Sequence, residues 1–309
     1  MKRGILFFAI LVTPMTASAS PQWVELAFLP WGASPGEVGL TEAREDELQR
    51  GPHGITVAAD GRIAVVDRVN GRAWVLSSDG DVVQEVALAG RPGPAALLSD
   101  GALAVADERD DRLVRLAGDD AQQRTPRWAM PPSRLVSFTG DSGQTVVQGL
   151  DPFQLRLPLS SGSIEPHPLS RGVPTADGEG GVYVVRREDE LWVEFPEGRL
   201  VLDESIWPGD PGQGYGPGAT SVLAATEDTA AIYLESVFGG LGPIRVIRAV
   251  ALVDLMGRRL PLLSVADMGP VVIPSDLAAL PDGRVFQLVS DADGCRLLRA
   301  HVGEPEVDR

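Results

Sequence analysis

The chain has 309 residues and a formal net charge of −16, with 43 Asp and Glu against 27 Lys and Arg. Nucleic acid and anionic lipid are bound through Lys and Arg that displace counterions, so a charge of this sign excludes nucleic acid as a partner. Lys2 is the only lysine, which excludes chemistry through a lysine amine once the N-terminus is removed. The single cysteine, Cys295, cannot form an internal disulfide, so the fold depends on burial alone.

The N-terminus has the three parts of a secretory signal peptide. Met1-Lys2-Arg3 is basic, residues 4–12 (GILFFAILV) are apolar, and Ala17-Ser18-Ala19 matches an A-x-A cleavage site. The apolar run is far shorter than the roughly 20 residues that a spanning helix needs. We therefore predict a signal peptide over residues 1–19 and export to the periplasm or beyond. We expect no membrane insertion after cleavage. We also expect no lipid anchor, because the residue directly after the cleavage site is Ser20 and not a cysteine.

Residues 51–88 contain four short apolar alternations separated by turns. Asp60-Gly61 and Asn70-Gly71 favour tight hairpin turns, because those positions require positive φ. The unit recurs, with the Asp-Gly pair returning at Asp100-Gly101 and Asp282-Gly283 and weaker copies between them. A period near 40 residues with four strands per unit is typical of a β-propeller.

These repeats predict an all-β fold, a six-bladed β-propeller of four-stranded blades in one domain that spans residues 20–309. The predicted blades cover approximately residues 51–90, 91–130, 131–170, 171–210, 217–266 and 271–303. The last unit is short, and residues 23–29 (WVELAFL) supply its missing outer strand. Pairing both ends of the chain in one blade closes the ring and removes an exposed sheet edge.

The pattern P-x-G-I-x-V-x-x-D-G-R-I-x-V-V-D-x-x-N-x-R over residues 52–72 resembles an NHL repeat. Residues 31–39 (WGASPGEVG) resemble the segment that often precedes the first blade of such proteins. The resemblance implies a propeller fold and leaves the function open, since NHL propellers serve as protein-binding platforms, enzymes and RNA binders. The negative charge disfavours the last of these.

Polar residues near the predicted axial opening are the candidate ligand contacts, because ligands collect there in propellers. They are His53, Ser133, Arg134, Ser221, Ser275 and Asp276. Peptide-amidating lyases, which this fold resembles, hold an axial metal with three His from different blades. Here Ala95, Ser133 and Ser275 occupy the places equivalent to His53, so we predict no metal site and no cofactor. Calcium lactonases of six blades use an Asn ligand, whereas the only Asn here, Asn70, is assigned to a turn.

Two further motifs have simpler structural interpretations. Residues 32–36 (GASPG) match a G-x-S-x-G nucleophile pattern, but Pro35 has no N–H for an oxyanion hole, so we predict a loop. The five-residue Asp–Arg spacing at Asp67–Arg72, Asp107–Arg112 and Asp291–Arg296 predicts charge-assisted bonds that brace turns.

We therefore predict a monomeric binding scaffold for a protein or peptide partner, with His53, Arg134 and Asp276 as the best contacts and no catalytic residues. The first alternative is a hydrolase or lyase with its site at the axial opening. The second is a carbohydrate or cell-wall binding module that uses exposed Trp207 and Tyr215. The identity of the partner does not follow from the sequence.

Overall fold

A computed structural model describes most of the chain after the predicted signal peptide. The described residues are 23–42, 48–98, 100–117, 121–124, 134–140, 143–150, 153–158, 167–175, 181–187, 190–202, 206–209, 214–238, 244–255, 259–267 and 269–302. The signal peptide and Ser133 lie outside them. Within these ranges, the structure contains no helix with the length and apolar character to cross a membrane.

The described residues form four-stranded antiparallel sheets, taken here in chain order. Strand β1 (Val24–Pro30) comes first in the chain. The first sheet contains β2 (Gly54–Val57), β3 (Ile63–Asp67), β4 (Arg72–Leu76) and β5 (Val82–Ala87). The second contains β6 (Pro92–Leu97), β7 (Leu103–Asp107), β8 (Arg112–Ala117) and β9 (Ala121–Arg124). The third contains β10 (Arg134–Gly140), β11 (Gly143–Leu150), β12 (Phe153–Pro158) and β13 (His167–Arg171).

The remaining three sheets follow in the same order along the chain. The fourth contains β14 (Val173–Pro174), β15 (Gly181–Arg187), β16 (Glu190–Phe195) and β17 (Gly198–Leu202). The fifth contains β18 (Tyr215–Ala225), β19 (Thr229–Phe238), β20 (Arg245–Asp254) and β21 (Arg259–Ser264). The sixth contains β22 (Leu277–Ala279), β23 (Arg284–Ser290) and β24 (Gly294–His301), with β1 paired to β24 as its fourth strand.

The turns between first and second strands confirm the Asp-Gly prediction. Gly61, Gly101 and Gly283 all have φ between 86° and 93°, the region that favours glycine. In each of these turns, the aspartate before the glycine accepts a hydrogen bond from the backbone N–H two residues later, at 2.9–3.0 Å. The Asp-Gly pair therefore supplies both the backbone conformation and the side-chain acceptor that a tight turn needs.

Apolar side chains are buried between neighbouring sheets. Trp74 of the first sheet packs in one cluster with Phe286 of the sixth, and Val66 packs with Leu103 of the second. A further cluster joins Leu191 of the fourth sheet to residues of the fifth. The sheets in these clusters thus depend on their neighbours for a core, which is the packing of a repeat architecture.

The first strands of neighbouring sheets lie side by side. Strand β22 contacts β2, β2 contacts β6, and β6 contacts β10; farther along the chain, β14 contacts β18, and β18 contacts β22. The third and fourth sheets meet through β13 and β15. Four-stranded antiparallel sheets that pack face to face around adjacent first strands form a β-propeller.

Candidate functional site on the strand-entry face

We call the end of the sheets where β2, β6, β10 and β22 begin the strand-entry face, and the end with the Asp-Gly turns the Asp-Gly face. The structure brings His53 and Ser275 together on the strand-entry face. The Ser275 N–H donates to the His53 carbonyl at 3.0 Å, and the Ile55 N–H donates to the Ser275 carbonyl at 2.9 Å. Asp276 follows directly. Two of the predicted contact regions, from the first and sixth sheets, are therefore neighbours.

The other predicted contacts do not join this pair in the described structure. Arg134 is the first residue of β10, and its side chain is not among the described groups. Ser133 lies outside the described residues. Ser221 lies in the middle of β18, opposite Tyr233 of β19, and is therefore within a strand and not at its entry.

His53 is a buried imidazole with an unfilled hydrogen-bonding position. The residue is 6% exposed, and within the described part of the chain its Nδ1 atom has no hydrogen-bond partner. Desolvation by burial and the nearby Arg68 guanidinium lower the pKa of His53 to about 4, so the ring is uncharged at neutral pH. A buried polar nitrogen without a partner is costly, so this position suits a contact with a ligand or water.

Arginines lie next to this imidazole on the turns of the first two sheets. Arg68 follows β3, and its Nη2 atom donates to Glu108 Oε2 at 2.8 Å. Arg91, just before β6, has its Nε atom 3.3 Å from the same oxygen. Desolvation lowers the pKa of Arg68; Glu108 opposes this, while Arg91 and Arg50 add to it by charge repulsion. Arg91 and Arg50 are thus close enough to repel Arg68, and Glu108 contacts both Arg68 and Arg91.

A second charged group lies between the fifth and sixth sheets. Arg248 Nη1 donates to Asp276 Oδ2 at 2.7 Å, and both side chains are about 10% exposed. Gln287 donates to the same carboxylate oxygen at 3.4 Å. Burial raises the pKa of Asp276, and the bonds from Arg248 and Gln287 oppose that rise. Asp276, one of the predicted ligand contacts, therefore has a protein partner, Arg248.

Tyr233 and Glu235 extend this group along β19. The Tyr233 hydroxyl donates to Glu235 Oε2 at 3.0 Å. Burial, with the adjacent Glu235 carboxylate, raises the pKa of Tyr233 far above its ordinary value, so the phenol stays protonated. This group of paired polar side chains ties the fifth sheet to the sixth.

The G-x-S-x-G motif forms a loop, as predicted. The Ser34 N–H donates to the Glu37 carboxylate at 2.7 Å, and the Glu37 N–H donates to the Ser34 carbonyl at 3.1 Å. Arg72 holds the loop through hydrogen bonds to both carbonyls, of Ser34 and Glu37. Arg72 also bonds to Asp67 at 3.4 Å, so the Asp–Arg spacing braces this turn as expected.

The Asp–Arg brace recurs in the sixth sheet and differs in the second. Arg296 Nε donates to Asp291 Oδ2 at 2.7 Å. In the second sheet, Asp107 accepts hydrogen bonds from the N–H groups of Arg91 and Arg109, while the buried Nε atom of Arg112 has no partner in the described structure. The five-residue Asp–Arg spacing alone therefore does not determine whether the two side chains bond to each other.

The prediction of an exposed Trp207 is wrong. Trp207 is 8% exposed and belongs to the apolar cluster between the fourth and fifth sheets. Tyr215 is partly buried, with its ring centroid 5.5 Å from that of Phe238. Because Trp207 is a core residue, the two aromatics do not form a sugar-stacking surface. The Pro and Gly residues around Trp207 suggested a loop, but an apolar ring next to two sheets is more stable when buried.

The described residues contain no group of three His, Cys, Asp or Glu side chains arranged to hold a metal ion. His301 ends β24 next to Gly283 on the Asp-Gly face, at the opposite end of the sheets from His53. Cys295 is fully buried, and burial raises the pKa of its thiol.

Sequence inspection missed Arg68, Glu108 and Arg248. A signal for the first two was present: they lie 40 residues apart, at the same place in consecutive repeats, with opposite charge. Residues at one repeat position face each other across neighbouring blades, so opposite charges there predict an ion pair between blades. Arg248 falls in a poorly matching repeat, where no equivalent alignment indicates its partner.

No family model and no curated protein matches the sequence. Solved structures do match. Hydrazine synthase from Kuenenia stuttgartiensis matches with a TM-score of 0.48 and 15% identity over 81% of this chain and 79% of that one. A streptogramin B lyase has a TM-score of 0.42 and 12% identity, covering 85% and 97% of the two chains. A gluconolactonase from Xanthomonas campestris has 0.40 and 15%, covering 91% and 89%. At these scores and identities, the likenesses carry no argument about function.

Proposed function

We propose that the chain is an exported six-bladed β-propeller that binds a protein or peptide partner on its strand-entry face. The observation that carries this proposal is the buried Nδ1 atom of His53, which has no partner among the described residues and lies near Arg68, a guanidinium that Arg91 and Arg50 repel. Such groups are unfavourable in the isolated protein and become favourable when a partner supplies acceptors and negative charge.

The six-bladed ring is part of the same proposal. It is supported by the contacts between successive first strands and by the parallel bridge that joins Gly54 to Ser275, between the first and sixth sheets. Pairing of β1 with β24, from Val24 opposite Arg299 to Pro30 opposite Gly294, supports closure of the ring by the N-terminal strand. The blades are NHL-like in this proposal because the motif lies where β2 and β3 form their hairpin.

Site-directed photo-cross-linking tests the proposed binding face. Two exposed residues carry the cross-linking amino acid in separate variants: Arg109, in the turn after β7 on the strand-entry face, and Asp79, in the turn after β4 on the Asp-Gly face. Both are expressed as the full chain, so that export proceeds normally. We expect an adduct with a specific partner from position 109 and none from position 79. Adducts from position 79 alone contradict the proposal.

A hydrolase or lyase at the axial opening is the second candidate. Its specific support is His53, a buried imidazole whose Nδ1 atom has no partner among the described residues and can contact a bound substrate. The metal content of the purified, unchelated protein separates the two candidates. Near-stoichiometric zinc or calcium favours the enzyme, and its absence favours the scaffold.

A further inference from the structure

We propose that Arg68 and Arg91, together with His53, form a carboxylate-binding site, and that a carboxylate is the group that the propeller recognises on its ligand. This inference rests on the proposed binding function of the strand-entry face and names the chemistry of its ligand.

The first argument is the local balance of charge. The chain carries 16 more negative than positive charges, yet on this part of the strand-entry face two arginines, Arg68 and Arg91, both contact Glu108. Arg91 and Arg50 also repel the Arg68 guanidinium, so a second carboxylate bound there would offset repulsion between like charges. A small anionic group suits such a place better than a polyanion, which the acidic surface of the rest of the protein repels.

The second argument is geometric. Glu108 accepts one hydrogen bond from Arg68, and Arg91 lies within ion-pair distance, so the guanidiniums are already directed at a carboxylate. Arg68 is 19% exposed and Arg91 is 58% exposed. Arginine has five donors in a planar fork, so each guanidinium retains donors after bonding to Glu108. These remaining donors suit a second carboxylate.

The third argument is His53. Its Nδ1 atom is buried, has no partner among the described groups, and lies in the field of Arg68. The backbone fixes the residue, since its N–H donates to the Val66 carbonyl at 2.8 Å, two residues before Arg68. A ligand whose carboxylate reaches Arg68 brings its neighbouring polar groups to this nitrogen. His53 thus supplies a second contact, which a bare surface cluster of arginines lacks.

Binding of a labelled acidic peptide tests the site. The probe is a hexaglutamate peptide blocked at both ends, followed by fluorescence anisotropy at low salt, with the uncharged hexaglutamine peptide as the negative control. We expect the glutamate peptide to bind and the glutamine peptide not to bind. Arg68→Gln should weaken binding by about tenfold or more, because it removes a charge-assisted hydrogen bond from a partly buried site.

Arg199→Gln is the matched control. Arg199 lies on β17, and its guanidinium stacks on the Trp192 ring at 4.2 Å, away from the strand-entry arginines. Arg199→Gln changes the net charge by the same amount as Arg68→Gln, so a general electrostatic effect would weaken peptide binding equally in both variants. Equal weakening overturns the proposal. If Arg68→Gln does not fold, the more exposed Arg91→Gln replaces it, with the same expectation.

Competition identifies the source of the carboxylate. Displacement of the peptide by succinate at low concentration indicates a small carboxylic acid as the ligand, whereas resistance to succinate indicates a carboxylate carried on a peptide; both support the site. Stronger displacement by inorganic phosphate than by succinate overturns it, as does failure of hexaglutamate to bind. If the partner adduct at position 109 persists in Arg68→Gln, the scaffold function stands and the carboxylate inference fails.

Discussion

The two ends of the propeller use charged residues in different ways. On the Asp-Gly face, Asp60 pairs with Arg62 and Asp282 pairs with Arg284, in both cases only two residues apart and at 2.7 Å. The strand-entry face also has pairs within one turn, such as Asp67 with Arg72, but there Arg68 pairs across sheets with Glu108, 40 residues away. The first pattern belongs to each turn and repeats with it. The second depends on which residues meet at the ring, and it leaves groups unsatisfied.

This difference supports the proposal that the strand-entry face is the binding face. A feature that recurs in every well-matched repeat stabilises the repeat, and the Asp-Gly turn is such a feature. The strand-entry face carries residues that occur once, among them His53 with its unpartnered nitrogen. A binding site needs residues that occur at one place only, because a ring of identical blades would offer the same weak contact several times.

The largest contrast concerns Asp67 on the strand-entry face and Asp60 on the Asp-Gly face. Asp67 is fully buried and accepts hydrogen bonds from Gly39, Asn70 and Arg72, whereas the Asp60 side chain is 50% exposed. Asp67→Ala should lower the free energy of unfolding by about 3–5 kcal/mol, because it leaves buried donors and a buried guanidinium without an acceptor. Asp60→Ala should cost about 1 kcal/mol or less.

Urea unfolding of the two variants measures this contrast. Both substitutions remove an aspartate carboxylate, so the difference between the two losses of unfolding free energy reports the surroundings of the residue and not its type. Similar losses for Asp67→Ala and Asp60→Ala show that the two faces contribute equally and remove the distinction between them.

His53 predicts a specific dependence of stability on pH. Its folded pKa of about 4 lies below the ordinary value of 6.5, so between these values the unfolded chain binds a proton that the folded chain does not. The contribution of His53 is complete above pH 6.5 and is lost as the pH falls towards 4, by about 3 kcal/mol. In His53→Gln this loss is absent. Unfolding free energies of both proteins at pH 4, 5, 6 and 7 test this, and parallel curves contradict it.

For the contact between the first and sixth sheets we predict a loss of stability between those expected for Asp67→Ala and Asp60→Ala. A Cβ atom on Gly54 would lie 2.3 Å from the Ser275 carbonyl oxygen, a backbone atom that cannot rotate away. Gly54→Ala should therefore lower the free energy of unfolding by about 1–3 kcal/mol by forcing the two first strands apart. Gly216→Ala is the control, because a Cβ there meets nothing within 4 Å. Thermal melts that shift equally for both variants contradict this account of the joint.

The fold was more accessible to sequence analysis than the site. Asp60-Gly61 and Asp282-Gly283 fix local turns, and local chemistry is readable from adjacent residues. The position of His53 at the entry to β2 followed from the same repeat. The Arg248–Asp276 bond could not be predicted from the repeat, because it joins residues 28 apart on different sheets. Nothing in the sequence around either residue indicates that the two side chains are in contact. Trp207 was mistaken for a surface residue because its Pro- and Gly-rich surroundings gave no sign of the core beside it.

The smallest predicted effect is on the Asp-Gly face. Burial opposes ionisation of Asp282, but hydrogen bonds from Arg284 outweigh it and hold the pKa of the carboxyl below its ordinary value. The pair therefore stabilises the folded state above about pH 3.8, the ordinary value, and this contribution is lost as the pH falls further. Arg284→Gln should cost less than about 1 kcal/mol at neutral pH, because both side chains are partly exposed. Salt at 1 M should remove most of that difference in urea unfolding, since exposed pairs are screened. The Arg284 guanidinium lies against Gly61 of the neighbouring sheet. A larger, salt-resistant loss of unfolding free energy would therefore show that Arg284 stabilises the contact between these two sheets. The Asp-Gly face would then depend on contacts between sheets as much as the strand-entry face does.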